Sequence, residues 1–357
     1  MSVQYESEGY SALDIPTSDA LAYVREREAA RLTARTTNAP APTATLLLAT
    51  DANCDLPSGW LREHNVAIIP VDVRRNGQAI RDFRDDVQCG EFALQARHGD
   101  SHATLTSEPL PPVHIRDHLQ AWMHHDIDYV LQITFAATRS KHYLSALSAT
   151  QSLVLIHNKV RRSIGTRSPL RAAVIDSQSG FTGEAVLVAE AVAQRDRGVS
   201  AHDIAESVKA LRARVHTLIV PGELRHLANA AQQLGGSRPP RWKIALARWF
   251  DIHPVLHITA ARSPHMIARP RGAVQARTEA LTRVTRHVEL GLSTPTVCLS
   301  YAGDLEEITS LPACAALRDE CRRRKAELLT TTMSMTGCAY LGPGALAVSF
   351  ISERFSP

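Results

Sequence analysis

A run of apolar residues gives way abruptly to polar ones near the start of the chain. Residues 46–49 read Leu-Leu-Leu-Ala, and Thr50-Asp51 follow directly, with Asp55 four residues later. In an α/β protein such a run is a buried parallel strand, and it delivers the polar side chains to the carboxyl edge of the sheet. Open α/β sheets bind ligands at that edge. The pattern therefore predicts that Asp51 either shapes a ligand site or caps the turn that follows.

A second set of polar residues could hold an anionic head group. Thr106-Ser107 precede Glu108-Pro109 and are predicted to place two hydroxyls on a rigid turn. A buried carboxylate needs hydroxyls, backbone N–H groups or a cation, because burying it unpaired is costly. Arg238 lies in a Gly/Pro-rich loop, and its guanidinium suits a carboxylate or a phosphate. Alternatively, Thr106 or Ser107 caps the helix that begins near Pro112, and Arg238 is a surface residue.

The turn Gly342-Pro343-Gly344 is a third candidate. Glycine adopts positive φ readily, so the turn could present backbone N–H groups to a head group. A purely structural turn is the alternative. Asp176-Ser177 end another apolar run, and we predict that they cap the turn that follows rather than bind a ligand.

Composition narrows the class of protein. The 357 residues, 44% of them hydrophobic and 21% charged, are typical of a globular chain with room for two domains. A net charge of +4 without a basic helix or zinc spacing predicts no nucleic-acid partner.

The six cysteines form no Cys-x-x-Cys pair, so we expect free thiols and no metal site. No apolar run approaches the roughly 18 residues of a membrane span. We therefore expect a cytoplasmic protein without integral membrane contact.

Strand and helix patterns alternate from residue 45 onward. Strands are predicted at 45–49, 67–73, 129–134, 172–175, 216–220, 296–300 and 346–350, and helices at 59–64, 112–124, 141–159 and 183–197. This order predicts an α/β fold with a mainly parallel, doubly wound domain at 44–212. A smaller α/β domain with a mixed sheet is predicted at 213–357. Residues 1–43 are predicted to be an extension and linker, either loosely docked or a dimerisation or lid element.

Six short segments occur in an order that resembles one known family. They are Thr50-Asp51 through Asp55-Leu56-Pro57, Thr106-Ser107-Glu108-Pro109, Val174-Ile175-Asp176-Ser177, Gly235-Gly236 with Arg238, Ile252-His253-Pro254-Val255-Leu256, and Gly342-Pro343-Gly344-Ala345-Leu346. Each segment alone is a weak signal, but their order and spacing over about residues 45–352 are specific. The combination resembles the DegV family, bacterial proteins that hold one fatty acid between two α/β domains. The resemblance implies a DegV-like two-domain fold.

The resemblance also implies a site with an acyl tunnel and a polar end. In the family the Thr that matches Thr106 contacts the carboxylate, and an Arg that matches Arg238 lies near it. The family's second carboxylate segment matches residues 134–140, where Phe135 and Arg139 replace a serine and a glycine. Tyr340 replaces a common His. The predicted ligand-binding residues are therefore Asp51, Thr106, Ser107, Thr134, Phe135, Thr138, Arg238, Tyr340, Gly342 and Gly344.

The resemblance therefore implies a carrier that binds a single long-chain fatty acid or a related acyl lipid. No catalytic residue, cofactor or metal is predicted, since the sequence has no P-loop and no Gly-x-Ser-x-Gly elbow. Whether the chain presents its ligand to a fatty acid kinase stays open. Two alternatives also remain: a phosphotransfer component related to dihydroxyacetone-kinase-like proteins, and a regulatory interaction protein with a decayed lipid pocket. A monomer or weak dimer is expected.

Overall fold

The structure is a computed structural model that describes residues 22, 25–26, 45–98, 105–123, 127–165, 168–223, 226, 251–260 and 262–355. Almost all of the predicted extension at 1–43 lies outside the described residues, and so does Arg238. The predictions made for those residues stay predictions.

The strand and helix bounds mostly agree with the sequence patterns. The first part of the chain contains β1 (Thr45–Asp51), α1 (Ser58–Glu63), β2 (Val66–Ile69), β3 (Val71–Arg75), β4 (Gln78–Asp82), α2 (Asp86–His98), β5 (Leu105–Pro109), α3 (Pro112–Trp122), β6 (Ile127–Thr134), α4 (His142–Ser163), β7 (Arg171–Asp176), α5 (Thr182–Asp196) and α6 (Ala201–Leu211). The second part contains β8 (Val215–Val220), β9 (Val255–Thr259), β10 (Arg262–Ala268), α7 (Ala273–Leu290), β11 (Thr296–Tyr301), α8 (Glu306–Thr309), α9 (Pro312–Arg323), β12 (Glu327–Thr332), α10 (Met335–Leu341) and β13 (Leu346–Ile351). We call residues 45–211 the N-terminal lobe and residues 215–355 the C-terminal lobe; the predicted domain boundary at 213 stays a prediction.

The N-terminal lobe is built on a parallel sheet in the order β2-β1-β6-β7. Every residue of β6 is buried, as expected for a strand covered on both faces. Helices α3 and α4 pack on one face, and α1, α5 and α6 pack on the other. This arrangement confirms the predicted doubly wound architecture.

A second, antiparallel sheet of the N-terminal lobe was not predicted. Its order is β4-β3-β5. The single strand predicted at 67–73 is two strands in the structure, β2 in the parallel sheet and β3 in the antiparallel sheet, with Pro70 between them. The prediction that Thr106-Ser107 lie on a turn is wrong, because both residues are inside β5 and pair with β3. The strand is short and mostly polar, so neither apolar alternation nor length marks it in the sequence.

The C-terminal lobe has a mixed sheet in the order β10-β9-β8-β13-β11-β12. Strands β11 and β12 are parallel, and the other neighbouring pairs are antiparallel. Helices α7 and α9 cover one face of this sheet. The predicted mixed sheet is therefore confirmed.

Helix α5 lies between the two large sheets. Its sequence is apolar on nearly all sides, which is typical of a fully buried helix. It packs against β1 and β6 of the N-terminal lobe and against β11 and β13 of the C-terminal lobe. Gly183 permits the close approach, since a Cβ there would lie 2.6 Å from Thr217 Oγ1 of β8. The two lobes consequently share a hydrophobic core along α5.

Candidate functional site

Asp51 lies at the carboxyl edge of the parallel sheet, where β1 and β6 end. Its side chain is 2% exposed, and both carboxylate oxygens accept backbone hydrogen bonds. Oδ1 accepts from Asn53 N at 3.0 Å, and Oδ2 accepts from Phe135 N at 3.0 Å. Asp51 therefore ties together the turns that follow two neighbouring strands, which corresponds to the capping alternative.

The hydroxyls predicted in the segment after β6 lie in different surroundings. The Thr134 hydroxyl is fully buried and donates to Ile175 O at 3.3 Å. Thr138, in contrast, is exposed. Asp176 Oδ1 holds this loop, because it accepts from Ala137 N at 3.0 Å. The structure thus places the Thr134 hydroxyl in the interior and Thr138 at the surface.

The Phe135 ring joins an apolar cluster built from both lobes. It meets the Phe181 ring edge-on with centroids 5.3 Å apart, and Gly180 leaves room for it. We call the surrounding residues the interlobe cluster: Val73, Cys89, Phe92, Ala93, Phe135, Phe181, Ile219, Ile258, Ala302, Met333, Met335, Cys338, Ala339, Tyr340, Leu341, Ala345 and Ala347. This cluster connects the small antiparallel sheet and α2 with the mixed sheet and α10.

Ser107 and Tyr340 come together at the edge of the interlobe cluster. Burial raises the pKa of the Tyr340 hydroxyl, while hydrogen bonds with the side chain and backbone of Ser107 oppose that rise. Ser107 Oγ also lies 2.9 Å from Thr336 Oγ1 on α10. We call Ser107, Thr336 and Tyr340 the hydroxyl row. Two of its members were predicted from the sequence, and Thr336 was not.

Thr106 does not belong to the hydroxyl row. Successive side chains of a strand point to opposite faces, so Thr106 lies on the other face of β5 from Ser107. Capping does not explain either residue, because α3 begins after Pro111 without a side-chain cap bond in the part of the chain described. The role that the resemblance implied for Thr106 stays a prediction.

Two carboxylates of the N-terminal lobe hold the first turn of α10. Ser334 caps this helix, since its Oγ accepts from Gly337 N at 3.2 Å. Ser334 N donates to Asp55 Oδ1 at 2.9 Å, and Met335 N donates to Asp82 Oδ2 at 3.0 Å. Acidic groups are favourable at a helix N-terminus, where N–H groups lack partners within the helix. Asp55 and Asp82 thereby position the helix that carries Thr336 and Tyr340.

A fully buried arginine balances these carboxylates. Burial raises the pKa of both Asp55 and Asp82, and the charge of Arg84 opposes that rise. Arg84 Nη2 donates to Thr331 Oγ1 and to Thr332 O, each at 2.8 Å. The Arg84 side chain has no exposed surface. It therefore joins the N-terminal lobe to the end of β12, immediately before α10.

The Gly342-Pro343-Gly344 turn uses its N–H groups within the protein. Gly342 and Gly344 adopt φ values of 84° and 81°, as their sequence predicted. Gly342 N donates to Cys338 O at 2.9 Å, and Gly344 N donates to Ala302 O at 2.6 Å. Pro343 carries no N–H. These contacts favour the structural alternative over a role in the head-group pocket.

The described ranges contain neither a membrane-spanning helix nor a cluster of metal ligands. No helix in those ranges is both long and apolar enough to cross a bilayer. Nor do the same ranges contain a group of three or more His, Cys, Asp or Glu side chains placed to hold a metal ion. All six cysteines are free and buried.

Comparison with known proteins identifies relatives of the whole α/β region. The sequence profile of the DegV family of uncharacterised proteins matches residues 45–353. A DegV domain-containing protein of Xanthomonas axonopodis pv. citri is 31% identical over 303 residues, which cover 85% of this chain and 96% of that protein.

Solved structures share the fold. A DegV family protein from Thermus thermophilus, described as binding fatty acid, is 22% identical with a TM-score of 0.64, covering 86% of this chain and 99% of that one. A stearic acid-binding protein from Eubacterium ventriosum is 17% identical with a TM-score of 0.68, covering 87% of this chain and 99% of that one. At these identities the likeness establishes the architecture.

Proposed function

The chain belongs to the DegV family, and from that premise we propose that it binds one long-chain fatty acid between its two lobes. The observation that carries the proposal is the hydroxyl row of Ser107, Thr336 and Tyr340 at the edge of the interlobe cluster. A polar end beside an apolar region matches the two parts of a fatty acid. We propose that the protein acts as a carrier and not as an enzyme.

The chemistry of each part supports this assignment. Hydroxyl groups donate to a carboxylate, and such charge-assisted hydrogen bonds are stronger than neutral ones. The acyl chain would pack among apolar side chains of the interlobe cluster, and burial contributes about 0.8 kcal/mol for each CH₂ group. Long chains are therefore favoured over short ones. Arg238 and Thr134 remain further candidates for contact with the head group.

The test is a titration of delipidated protein with hexadecanoic acid. We expect one molecule to bind the wild type, and the double variant Ser107→Ala/Tyr340→Phe to bind at least about tenfold more weakly. A hydrogen bond to a charged group contributes about 1.5–3 kcal/mol, so the loss of a single donor already weakens binding by about tenfold or more. Isothermal titration calorimetry measures both affinities.

Thr138→Val is the matched control, because it removes an exposed hydroxyl outside the hydroxyl row. It is expected to bind hexadecanoic acid as the wild type does. A wild type that binds no fatty acid would overturn the proposed function. Equal binding by the double variant would place the carboxylate elsewhere.

A further inference from the structure

Four histidines lie close together in the C-terminal lobe, away from the hydroxyl row. They are His216 on β8, His257 on β9, His265 on β10 and His287 in the last turn of α7, and we call them the histidine cluster. The His257 ring lies 5.3 Å from the His216 ring and 5.0 Å from the His265 ring, measured between centroids. His216, His257 and His287 are all buried. The proposed function uses none of these groups.

Residues 352–355 fold over the histidine cluster, and we call them the C-terminal segment. The Phe355 ring stacks on the His257 ring, with centroids 3.7 Å apart and planes 15° apart. Ser352 O lies 3.1 Å from His216 Nε2. The C-terminal segment is therefore held against the mixed sheet by one ring contact and one hydrogen bond to histidines.

The hydrogen bonds of His216 fix the hydrogen positions of its ring. A carbonyl oxygen only accepts, so His216 Nε2 carries the hydrogen that it donates to Ser352 O. Nδ1 of the neutral ring is then an acceptor, and His257 Nε2 donates to it across 3.1 Å. A proton added to His216 Nδ1 places two N–H groups against each other. The pair accepts one proton only if His257 changes its tautomer, and two protons put two cations in contact.

The surroundings of His216 do not compensate a positive charge. Burial lowers the pKa of His216 and His287 lowers it further, while the hydrogen bond to Ser352 O opposes the fall. Strands β9 and β13 contain no Asp, Glu, Lys or Arg. Glu353 in the C-terminal segment already pairs with Arg214 at 2.6 Å. Four other charged side chains on the neighbouring helix end and segment are ion-paired within the helix or exposed: Arg283, Arg286, Glu289 and Arg354.

We propose that the histidine cluster is an acid-sensitive clasp, which holds the C-terminal segment at neutral pH and releases it as the pH falls below about 6.5. An unfolded histidine takes up its proton near pH 6.5, whereas clasped His216 takes it up at lower pH. The clasp is therefore fully stable above about pH 6.5 and loses stability below that value. Release uncovers the Phe355 ring. The inference does not depend on fatty acid binding.

Hydrogen exchange of the full-length protein, read by mass spectrometry of its C-terminal peptide, tests the clasp. Ser352 N donates to Arg214 O at 3.1 Å, so its exchange reports release of the C-terminal segment. We compare about pH 7.5 with about pH 5.5, after correction for the intrinsic pH dependence of exchange. Protection should fall about tenfold at the lower pH, because one histidine held neutral gives that change over one unit below its ordinary pKa of about 6.5. Peptides from β6 should keep their protection.

His216→Gln is the decisive variant, because glutamine keeps a donor and an acceptor but does not titrate. The C-terminal segment should stay protected in this variant at pH 7.5, and the fall at pH 5.5 should shrink to at most about threefold. His202→Gln is the matched control. His202 is exposed on α6, outside the histidine cluster, so this variant should show the fall of the wild type.

Three results would overturn the clasp. One is equal protection of the wild-type C-terminal peptide at the two pH values. Another is a fall in His216→Gln as large as in the wild type, and the third is loss of protection in β6 to the same extent. Should His216→Gln fail to fold, ¹⁵N NMR of the histidine-labelled wild type decides the matter. A His216 ring that is neutral with its hydrogen on Nε2 at pH 7.5 is expected, and a cationic ring there would refute the clasp.

Discussion

Arg84→Met is expected to lower the free energy of unfolding by about 3–5 kcal/mol, since removing one partner of a buried ion network leaves uncompensated charge. Arg84 is fully buried and faces Asp86 at 3.0 Å, with Asp55 and Asp82 close by. A methionine side chain fills much of the volume of the Arg84 side chain but carries no positive charge. The variant also removes the hydrogen bonds to Thr331 and Thr332, so the contact between the lobes is weakened.

Arg74→Met provides the matched control for this prediction. Arg74 pairs with Glu108 at 3.2 Å, but both side chains are about half exposed, at 45% and 56%. Exposed pairs of this kind contribute about 0–1 kcal/mol. Urea denaturation of the two variants and the wild type measures the difference. A loss below about 1 kcal/mol in Arg84→Met would contradict the role of the buried network.

Gly222→Ala is expected to destabilise the protein by about 3 kcal/mol, at the upper end of the usual overpacking cost. Gly222 follows β8 and donates from its N–H to Leu341 O at 2.9 Å. A Cβ there would lie 1.9 Å from Pro343 O and 2.8 Å from Ala345 N. These are backbone atoms and cannot rotate away, so the Gly342–Gly344 turn must shift. Because Tyr340 lies just before this turn, fatty acid binding should weaken as well.

Gly59→Ala is the control for the added methyl group. Gly59 lies in α1 with no atom within 4 Å of the added Cβ, so alanine should be neutral or slightly stabilising there. Urea denaturation and the fatty acid titration are applied to both variants. A Gly222→Ala protein as stable as the wild type, with unchanged binding, would show that the turn is not constrained as described.

The sequence predicted the elements whose patterns are local and periodic. The strands of the parallel sheet and the buried helix α5 follow from apolar runs. Strand β5 was missed because its residues are polar. Asn76-Gly77, with φ values of 50° and 84°, is the hairpin signal that marks β3 and β4 and could have revealed their sheet.

The site was harder to predict, because its contacts join distant parts of the chain. Arg84 and Thr331 lie 247 residues apart, and no local pattern indicates such a pair. Thr336 lies in a stretch rich in hydroxyl residues just before the Gly-Pro-Gly turn, which is a signal that sequence reasoning could have used. The sequence indicated Asp51 as a candidate because it follows an apolar run. Its capping role could be recognised only from the structure, which places Phe135 N next to its carboxylate.

Mass spectrometry of the purified wild-type protein, first under native and then under denaturing conditions, tests the carrier function most directly. The proposed function predicts that the native protein carries one extra mass of a fatty acid of about 14–18 carbons, since burial of each CH₂ group favours long chains. That mass should be lost on denaturation. A protein that is empty, and stays empty after incubation with such fatty acids, would contradict the proposal.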